Sequence, residues 1–169
     1  MKESIPVFSL VAWSGTGKTT YLEALVPCLN ALGLRVAVVK HDGHDFDIDH
    51  EGTDTDRLTK SGAAVTAILS KRHGAVLYNQ PMTPEEFVAQ ITGVDLIITE
   101  GFKNGMWPKI LFYRSARGGE PAVVPDESAA IVTDKRFFTD TPQFDLDAPA
   151  DLARFLKRRI QEREENENA

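Results

Sequence analysis

Cysteine is nearly absent from this chain of 169 residues, because Cys28 is the only one. A single cysteine excludes an intrachain disulfide and a zinc site built from several cysteines. No apolar run approaches the roughly 20 residues that a membrane-spanning helix needs. The first residues, MKESIPVFSL, also lack the length and the cleavage site of a signal peptide. These absences predict a cytoplasmic protein that does not bind membranes.

An excess of basic residues is also lacking, since 19 lysines and arginines face 25 acidic residues and the net charge is −6. This balance argues against non-specific binding of nucleic acid, which depends on neutralising phosphates. A local basic pocket for a nucleotide remains compatible with it. The length suits one domain, and no repeat or linker interrupts the chain. We therefore expect a single domain over residues 1–169, with a charged end at 161–169 that frays.

The strongest signal for function is the sequence VFSLVAWSGTGKTT at residues 7–20. An apolar run predicts a buried strand, a glycine-containing loop follows it, and Lys18 opens an amphipathic helix. This arrangement is typical of a phosphate-binding loop, in which backbone N–H groups and the helix dipole favour an anion. Lys18 would reach the β- and γ-phosphates, and the Thr19 hydroxyl would coordinate Mg²⁺. The residues expected to cradle the phosphates are Trp13, Ser14, Gly15, Thr16, Gly17, Lys18, Thr19 and Thr20.

Ala12 stands where the full P-loop pattern has its first glycine. An alanine with positive φ would cost about 1–2 kcal/mol. We therefore expect residue 12 to lie at the end of the strand, where a small side chain is sufficient.

Strand and helix patterns alternate along the rest of the chain. They predict an α/β fold of the P-loop NTPase type, with three layers, a mainly parallel sheet flanked by helices and a short antiparallel hairpin. Strands are expected at residues 7–12, 34–40, 64–70, 75–78, 95–99, 109–114 and 129–133. Helices are expected at residues 18–32, 54–62, 83–92 and from 148 onward. Pro27 predicts a kink or a break in the first helix.

Two carboxylates follow predicted strands that would lie near the P-loop. Asp42 comes after the strand at 34–40, and Glu100 comes after the strand at 95–99. Ligands of open α/β sheets bind at the carboxyl ends of the strands, and Mg²⁺ prefers oxygen ligands. Asp42 and Glu100 are therefore candidate metal ligands together with Thr19. Gly101 would let the backbone approach the γ-phosphate.

The polar stretch HDGHDFDIDHEGTDT at residues 41–55 permits several interpretations. An EF-hand is excluded because a histidine stands where that calcium loop needs glycine. Three histidines offer a transition-metal site of the kind used by nickel-delivering GTPases: His41, His44 and His50. A solvated loop is the plain alternative. We favour a switch-type segment that covers the phosphates and carries Asp42, Asp49, Asp54 and Arg57.

The ordered set of motifs resembles the molybdopterin-guanine dinucleotide biosynthesis protein B (MobB) family. The resemblance covers about the first two-thirds of the chain, and the last third matches loosely. The matching segments are residues 13–20, WSGTGKTT; 39–44, VKHDGH; Asp49; 52–57, GTDTDR; 61–63, SGA; and 99–103, TEGFK.

This resemblance implies a nucleotide-binding fold of the P-loop class, a homodimer, and binding of GTP and Mg²⁺ with weak hydrolysis. Members of the family assist the enzyme that attaches GMP to molybdopterin, and they are not themselves the nucleotidyltransferase. The expected partners are therefore GTP and a molybdopterin guanylyltransferase.

The choice of guanine depends on a carboxylate that can accept hydrogen bonds from its N1–H and N2–H₂ groups. Asp134 is the candidate, because it follows the predicted strand at 129–133. The basic and aromatic stretch at 103–117 could bind a second anion such as the phosphate of molybdopterin. Its basic residues are Lys103, Lys109, Arg114 and Arg117.

Hydrolysis is expected to be slow, because phosphoryl transfer gains much from an arginine at the γ-phosphate. The candidate catalytic residues are Lys18, Glu100 and Arg57. A small-molecule kinase on the same scaffold is the alternative, which Arg114 and Arg117 keep open because such kinases use an arginine-rich lid.

Overall fold

The computed structural model describes residues 4–41 and 50–167. Contacts divide the chain into two compact units. One comprises Met1–His41 and Ile91–Ala169, and the other comprises Asp42–Gln90. In the described ranges, no helix is long and apolar enough to cross a bilayer. The single domain expected from the sequence stays a prediction.

The elements follow the alternation expected from the sequence. The strands are β1 (Val7–Val11), β2 (Val36–Lys40), β3 (Val65–Leu69), β4 (Gly74–Tyr78), β5 (Leu96–Glu100), β6 (Lys109–Tyr113), β7 (Ala130–Thr133) and β8 (Gln143–Phe144). The α-helices are α1 (Lys18–Ala31), α2 (Asp54–Lys60), α3 (Pro84–Ala89) and α4 (Pro149–Glu167). Two short 3-10 helices span Ser115–Arg117 and Pro125–Glu127.

The first unit is built on a six-stranded sheet in the order β2-β5-β1-β6-β7-β8. Each neighbouring pair in it is parallel. The strand that precedes the P-loop, β1, lies inside the sheet between β5 and β6. The predicted fold class, a mainly parallel sheet flanked by helices with a short antiparallel hairpin, is confirmed. The two-residue strand β8 was not predicted, because two residues show no periodicity.

Alternate residues of the strands pack against α1 and α4. The core contains Leu10, Ile98 and Phe112 from the sheet, together with Leu25 from α1 and Leu156 from α4. Because side chains alternate across a strand, the intervening residues lie on the opposite face. There Val11, Ile97, Leu111 and Ile131 are also buried. Burial on both faces is typical of a parallel sheet, and it fixes the strand ends that carry the site.

The helix α1 runs through Pro27 without a break, so of the two outcomes predicted there, a kink or a break, the break does not occur. Proline removes one backbone donor and costs about 3 kcal/mol in a helix interior. Burial of Leu22, Leu25 and Leu29 offsets this cost, since a buried leucine contributes about 1.5–3 kcal/mol. Gly33, with φ +83°, follows the end of the helix, where glycine adopts the left-handed conformation without strain.

The second unit contains α2, β3, β4 and α3. Strands β3 and β4 form an antiparallel pair from Val65–Tyr78 to Leu69–Gly74, as the hairpin prediction required. Thr83 caps α3 through a reciprocal pair of hydrogen bonds with Glu86, the pattern known as a capping box. The helix ends at Ala89, three residues before the predicted end.

Tyr21 is buried in the core of the first unit without a hydrogen bond for its hydroxyl. Its ring lies 5.3 Å from that of Phe112, and the hydroxyl has no partner among the described residues. Burial raises its pKa. An unsatisfied buried hydroxyl costs about 1–3 kcal/mol. We therefore expect Tyr21→Phe to raise the free energy of unfolding by about 1 kcal/mol, measured by urea denaturation.

The matched control for this change is Tyr113→Phe. The Tyr113 hydroxyl donates a hydrogen bond to the carbonyl of Gly119 at 3.2 Å, so this substitution should leave stability unchanged or lower it. Equal destabilisation by both substitutions would contradict the assignment of an unsatisfied hydroxyl to Tyr21.

Candidate nucleotide-binding site

The loop between β1 and α1 has the backbone conformation of an anion cradle. Gly15 and Gly17 have φ values of +75° and +94°, which glycine adopts without a steric penalty. The Thr16 hydroxyl donates a hydrogen bond to the carbonyl of Trp13 at 3.0 Å and closes the turn. Ala12 is buried directly after β1. Phe102 is the one non-glycine residue with positive φ in the described ranges, so Ala12 avoids that strain as predicted.

The side chain of Lys18 packs against this loop and is partly buried. Its Nζ donates hydrogen bonds to the carbonyls of Trp13 at 3.1 Å and Ala12 at 3.5 Å. Burial lowers the pKa of Lys18, the charge of Glu100 opposes this change, and Lys103 adds to it. A half-buried ammonium held beside the free N–H groups of a helix end is a strong attractor for phosphate.

Thr19 and Glu100 are in direct contact. The Thr19 hydroxyl donates to Oε1 of Glu100 at 2.9 Å, although the residues are 81 positions apart. The contact follows from the sheet, because Leu10 of β1 is in register with Glu100 of β5. A hydroxyl and a carboxylate at this distance are oxygen ligands of the type that Mg²⁺ prefers. Two of the three predicted metal ligands are therefore brought together.

The backbone after Glu100 is tightly constrained. Gly101 has φ +102°, and its N–H donates to the carbonyl of Leu10 at 3.0 Å. Phe102 has φ +56°, and its ring lies 4.5 Å from that of His41 and 5.6 Å from that of Trp107. A left-handed phenylalanine costs about 1–2 kcal/mol. Such strain is commonly retained at functional sites.

Three cations of the stretch at 103–117 contact the P-loop. Arg114 Nε donates to the carbonyl of Thr16 at 3.0 Å, and Arg117 Nε donates to that of Ser14 at 3.3 Å. Lys103 Nζ lies 3.5 Å from the centroid of the Trp13 ring, a cation–π contact. The fourth cation, Lys109, bonds the carbonyls of Gly105 and Trp107.

Sequence reasoning missed that these arginines lie at the P-loop. The available signal was that Arg114 ends a predicted strand, at 109–114, and that Arg117 follows it. In a parallel sheet that strand ends at the same edge as β1, so basic residues directly after it approach the same loop.

Asp134 follows β7 and is held by Ser115. The Ser115 N–H donates to Oδ1 of Asp134 at 2.7 Å, and the Ser115 hydroxyl donates to Oδ2 at 3.0 Å. These bonds, mainly the one from the backbone N–H, lower the pKa of Asp134, and the charge of Arg114 acts in the same direction. The carboxylate is therefore ionised and fixed in orientation. Each oxygen retains a lone pair for another donor.

The remaining candidate residues either are not described by the structure or belong to the second unit. Asp42, Asp49 and His44 lie outside the described residues. Arg57 is on α2 in the second unit, 3.7 Å from Asp54 in an exposed ion pair. Over residues 4–41 and 50–167, no group of three or more His, Cys, Asp or Glu residues could hold a metal ion.

Comparison with known proteins identifies the relatives of this chain. The family described as molybdopterin guanine dinucleotide synthesis protein B matches residues 7–134. The molybdopterin-guanine dinucleotide biosynthesis adapter protein of Escherichia coli (strain K12) is 36% identical over 163 residues, covering 92% of this chain and 93% of the relative. The protein of the same name from Haemophilus influenzae is 30% identical over 161 residues, covering 93% and 90%.

Solved structures of relatives share the fold. A crystal structure titled molybdopterin-guanine biosynthesis protein B (mobB) has a TM-score of 0.66 and 26% identity, covering 90% of this chain and 98% of that one. The crystal structure of Bacillus subtilis MobB has a TM-score of 0.69 at 24% identity, covering 90% and 97%. With the family match over residues 7–134 and these relatives along nearly the whole chain, this protein belongs to the MobB family, as its motifs predicted.

Proposed function

We propose that this protein is an adapter in molybdopterin guanine dinucleotide biosynthesis that binds GTP with Mg²⁺ and hydrolyses GTP slowly. The observation that carries the proposal is the contact of Thr19 with Glu100 beside a loop in which Gly15 and Gly17 have the positive φ values of an anion cradle. The names of the relatives supply the pathway. A P-loop provides the phosphate site, and the hydroxyl–carboxylate pair provides metal ligands.

In this proposal, different residues bind different parts of the nucleotide. Backbone N–H groups of residues 13–20 bind the β-phosphate, and Lys18 binds the β- and γ-phosphates. Thr19 and Glu100 hold Mg²⁺, which neutralises phosphate charge, and Asp42 and Asp49 supply further contacts. Gly101 follows Glu100 directly and has no side chain, so it lets the backbone approach the γ-phosphate, while its own N–H stays bonded to the carbonyl of Leu10.

Guanine is selected by Asp134 in this proposal. Ser115 keeps the carboxylate ionised and oriented, so it can accept from N1–H and N2–H₂ of guanine. Adenine lacks that pair of donors and presents an acceptor at N1. The proposal therefore includes preference for GTP over ATP.

Glu100 also has a proposed catalytic role, with Arg57 as a further candidate. We expect Glu100→Gln to lower the rate of GTP hydrolysis by about 10- to 100-fold, because glutamine removes the negative charge that would hold the metal at the phosphates. It should also raise the Mg²⁺ concentration needed for half-maximal rate. Phosphate release measured against Mg²⁺ concentration provides both values.

The control for this substitution is Glu162→Gln on α4. Glu162 pairs with Arg159 at 3.5 Å on an exposed helix surface, so turnover should stay at the wild-type value. Wild-type turnover and Mg²⁺ dependence in Glu100→Gln would remove Glu100 from both proposed roles.

The proposed partner is the guanylyltransferase that joins GMP to molybdopterin, with molybdopterin as a second ligand. We also propose a homodimer in the cytoplasm. Co-purification with the guanylyltransferase, with and without GTP and Mg²⁺, tests the first of these. Sedimentation of the purified chain tests the second.

A thermal-shift comparison tests the nucleotide itself. GTP with Mg²⁺ at 100 times its dissociation constant should stabilise the fold by about 2.7 kcal/mol, and ATP should stabilise it less. Stabilisation by ATP and not GTP would contradict the proposal. Phosphoryl transfer to an added small molecule would favour the kinase alternative, to which the position of Arg114 and Arg117 beside the P-loop gives some support.

A further inference from the structure

Arg114 flanks the P-loop on the side away from the Thr19–Glu100 pair. In the sheet, β1 has two neighbours, β5 and β6. Glu100 is the last residue of β5, and Arg114 directly follows β6. The metal ligands and Arg114 therefore approach the loop from opposite sides.

The guanidinium of Arg114 is anchored by one of its nitrogens and leaves the others available. Nε donates to the carbonyl of Thr16 at 3.0 Å, and Nη2 lies 3.6 Å from the point where a Cβ on Gly17 would stand. No described residue bonds Nη1 or Nη2, which carry four N–H donors. An arginine fixed in this way presents a planar, charged fork beside the anion cradle.

The position of Asp134 indicates which part of a nucleotide would contact the guanidinium of Arg114. Asp134 follows β7, which is the next strand beyond β6, and Ser115 connects it to Arg114. In the proposed site, the γ-phosphate lies near Glu100 and the base lies near Asp134. Arg114 is between these two residues, so it would face the phosphates between the γ-phosphate and the base. Those are the α- and β-phosphates.

We infer that Arg114 binds the α- and β-phosphates of the nucleotide, and that the short Arg114–Arg117 segment connects phosphate binding to base recognition. This inference rests on the proposed nucleotide site. It predicts that Arg114 contributes to binding of GDP and GTP alike, whereas a residue at the γ-phosphate would act on GTP alone.

Arg114→Gln is the sharpest test, because glutamine Nε2 is attached to Cδ as arginine Nε is. The variant can keep the bond to Thr16 while it loses the charge and the Nη donors. We expect the dissociation constants for GTP and GDP both to rise about 10- to 100-fold, measured by calorimetry with Mg²⁺. Arg114→Lys should give a smaller rise, and kcat should change by less than about 3-fold.

The control is Arg159→Gln, which removes an arginine from the exposed surface of α4. Lys157 on α4 bonds the carbonyl of Leu32 just beyond the C-terminal end of α1, so this part of α4 lies at the end remote from the P-loop. Arg159→Gln should bind both nucleotides as the wild type does.

The outcomes separate the inference from the proposed function. If wild-type protein binds neither GTP nor GDP, the proposed function itself fails. If wild-type protein binds both and Arg114→Gln binds them equally well, Arg114 only braces the loop and the inference is wrong. A loss confined to GTP, or to kcat, would move Arg114 to the γ-phosphate and would also overturn it.

Discussion

Lys18→Met is expected to abolish measurable binding of GTP, with a loss of at least about 100-fold in affinity. The Lys18 ammonium is bonded to carbonyls of the P-loop, where it would also contact two phosphates. Charge-assisted hydrogen bonds contribute about 1.5–3 kcal/mol each. Methionine keeps most of the aliphatic stem, so the packing of Lys18 against the loop is largely preserved. Calorimetric titration with GTP and Mg²⁺ measures the loss.

The unliganded variant should be as stable as the wild type. Burial lowers the pKa of Lys18, so the folded state disfavours its charged form at neutral pH. This penalty is present below the folded-state pKa and disappears as the pH rises through the unfolded-state pKa. Removing the charge relieves the penalty, which opposes the loss of two hydrogen bonds to backbone carbonyls.

Lys71→Met is the matched control, since Lys71 is exposed in the turn between β3 and β4 in the second unit. It should bind GTP normally. Retention of wild-type GTP affinity by a folded Lys18→Met protein would contradict the assignment of the P-loop. Loss of binding together with loss of the folded state would instead be detected by circular dichroism of the unliganded variant.

The conformation of the loop between β1 and α1 could be predicted from the sequence because its parts are contiguous. The strand, the glycines, Lys18 and Thr19 lie within 14 residues, and local geometry alone brings them together. The contact of Thr19 with Glu100 was also predictable, although it spans 81 positions. It required only the rule that parallel strands place their carboxyl ends at one edge.

The contacts of Arg114 and Arg117 could not be obtained in the same way. Their guanidinium groups bond backbone carbonyls of Thr16 and Ser14, and a carbonyl is present at every residue. No sequence pattern marks which carbonyl an arginine will reach. The strand order, with β6 next to β1, decides it, and that order depends on packing of the whole sheet.

The prediction of a kink or a break at Pro27 shows a different limit, because no break occurs there. Local propensity correctly identifies the lost donor, but it does not include the burial of Leu22, Leu25 and Leu29 around it. Tertiary packing supplies more free energy than the proline costs, so α1 continues. The polar segment that contains Asp42 and Asp49 lies outside the described residues, and their roles stay predictions.

Asp134→Asn is expected to change the base preference of the site from guanine to xanthine. Aspartate accepts from N1–H and N2–H₂ of guanine, whereas asparagine offers one acceptor and one donor. Xanthine carries a carbonyl in place of the 2-amino group, so asparagine matches it. We expect the ratio of GTP to XTP affinity to fall by about 100-fold or more, because two hydrogen bonds to a charged group are each worth about 1.5–3 kcal/mol.

Ser115 makes this exchange feasible without disturbing the loop. Its N–H donates to Oδ1 of Asp134, which asparagine retains. Its hydroxyl donates to Oδ2, and it can instead accept from the new amide. Asp140→Asn is the control, because Asp140 is exposed in the same connection after β7 and its loss should alter neither affinity.

A gain of XTP binding carries more weight than a loss of GTP binding, since damage to the fold cannot create a new specificity. If Asp134→Asn binds GTP as tightly as the wild type and does not bind XTP, Asp134 does not recognise the base. The bonds from Ser115 would then only join the ends of β6 and β7. If it loses GTP without gaining XTP while Asp140→Asn stays normal, the carboxylate charge supports the loop and not the recognition of guanine. The paired affinities therefore decide whether Asp134, which Ser115 holds in place, recognises the base.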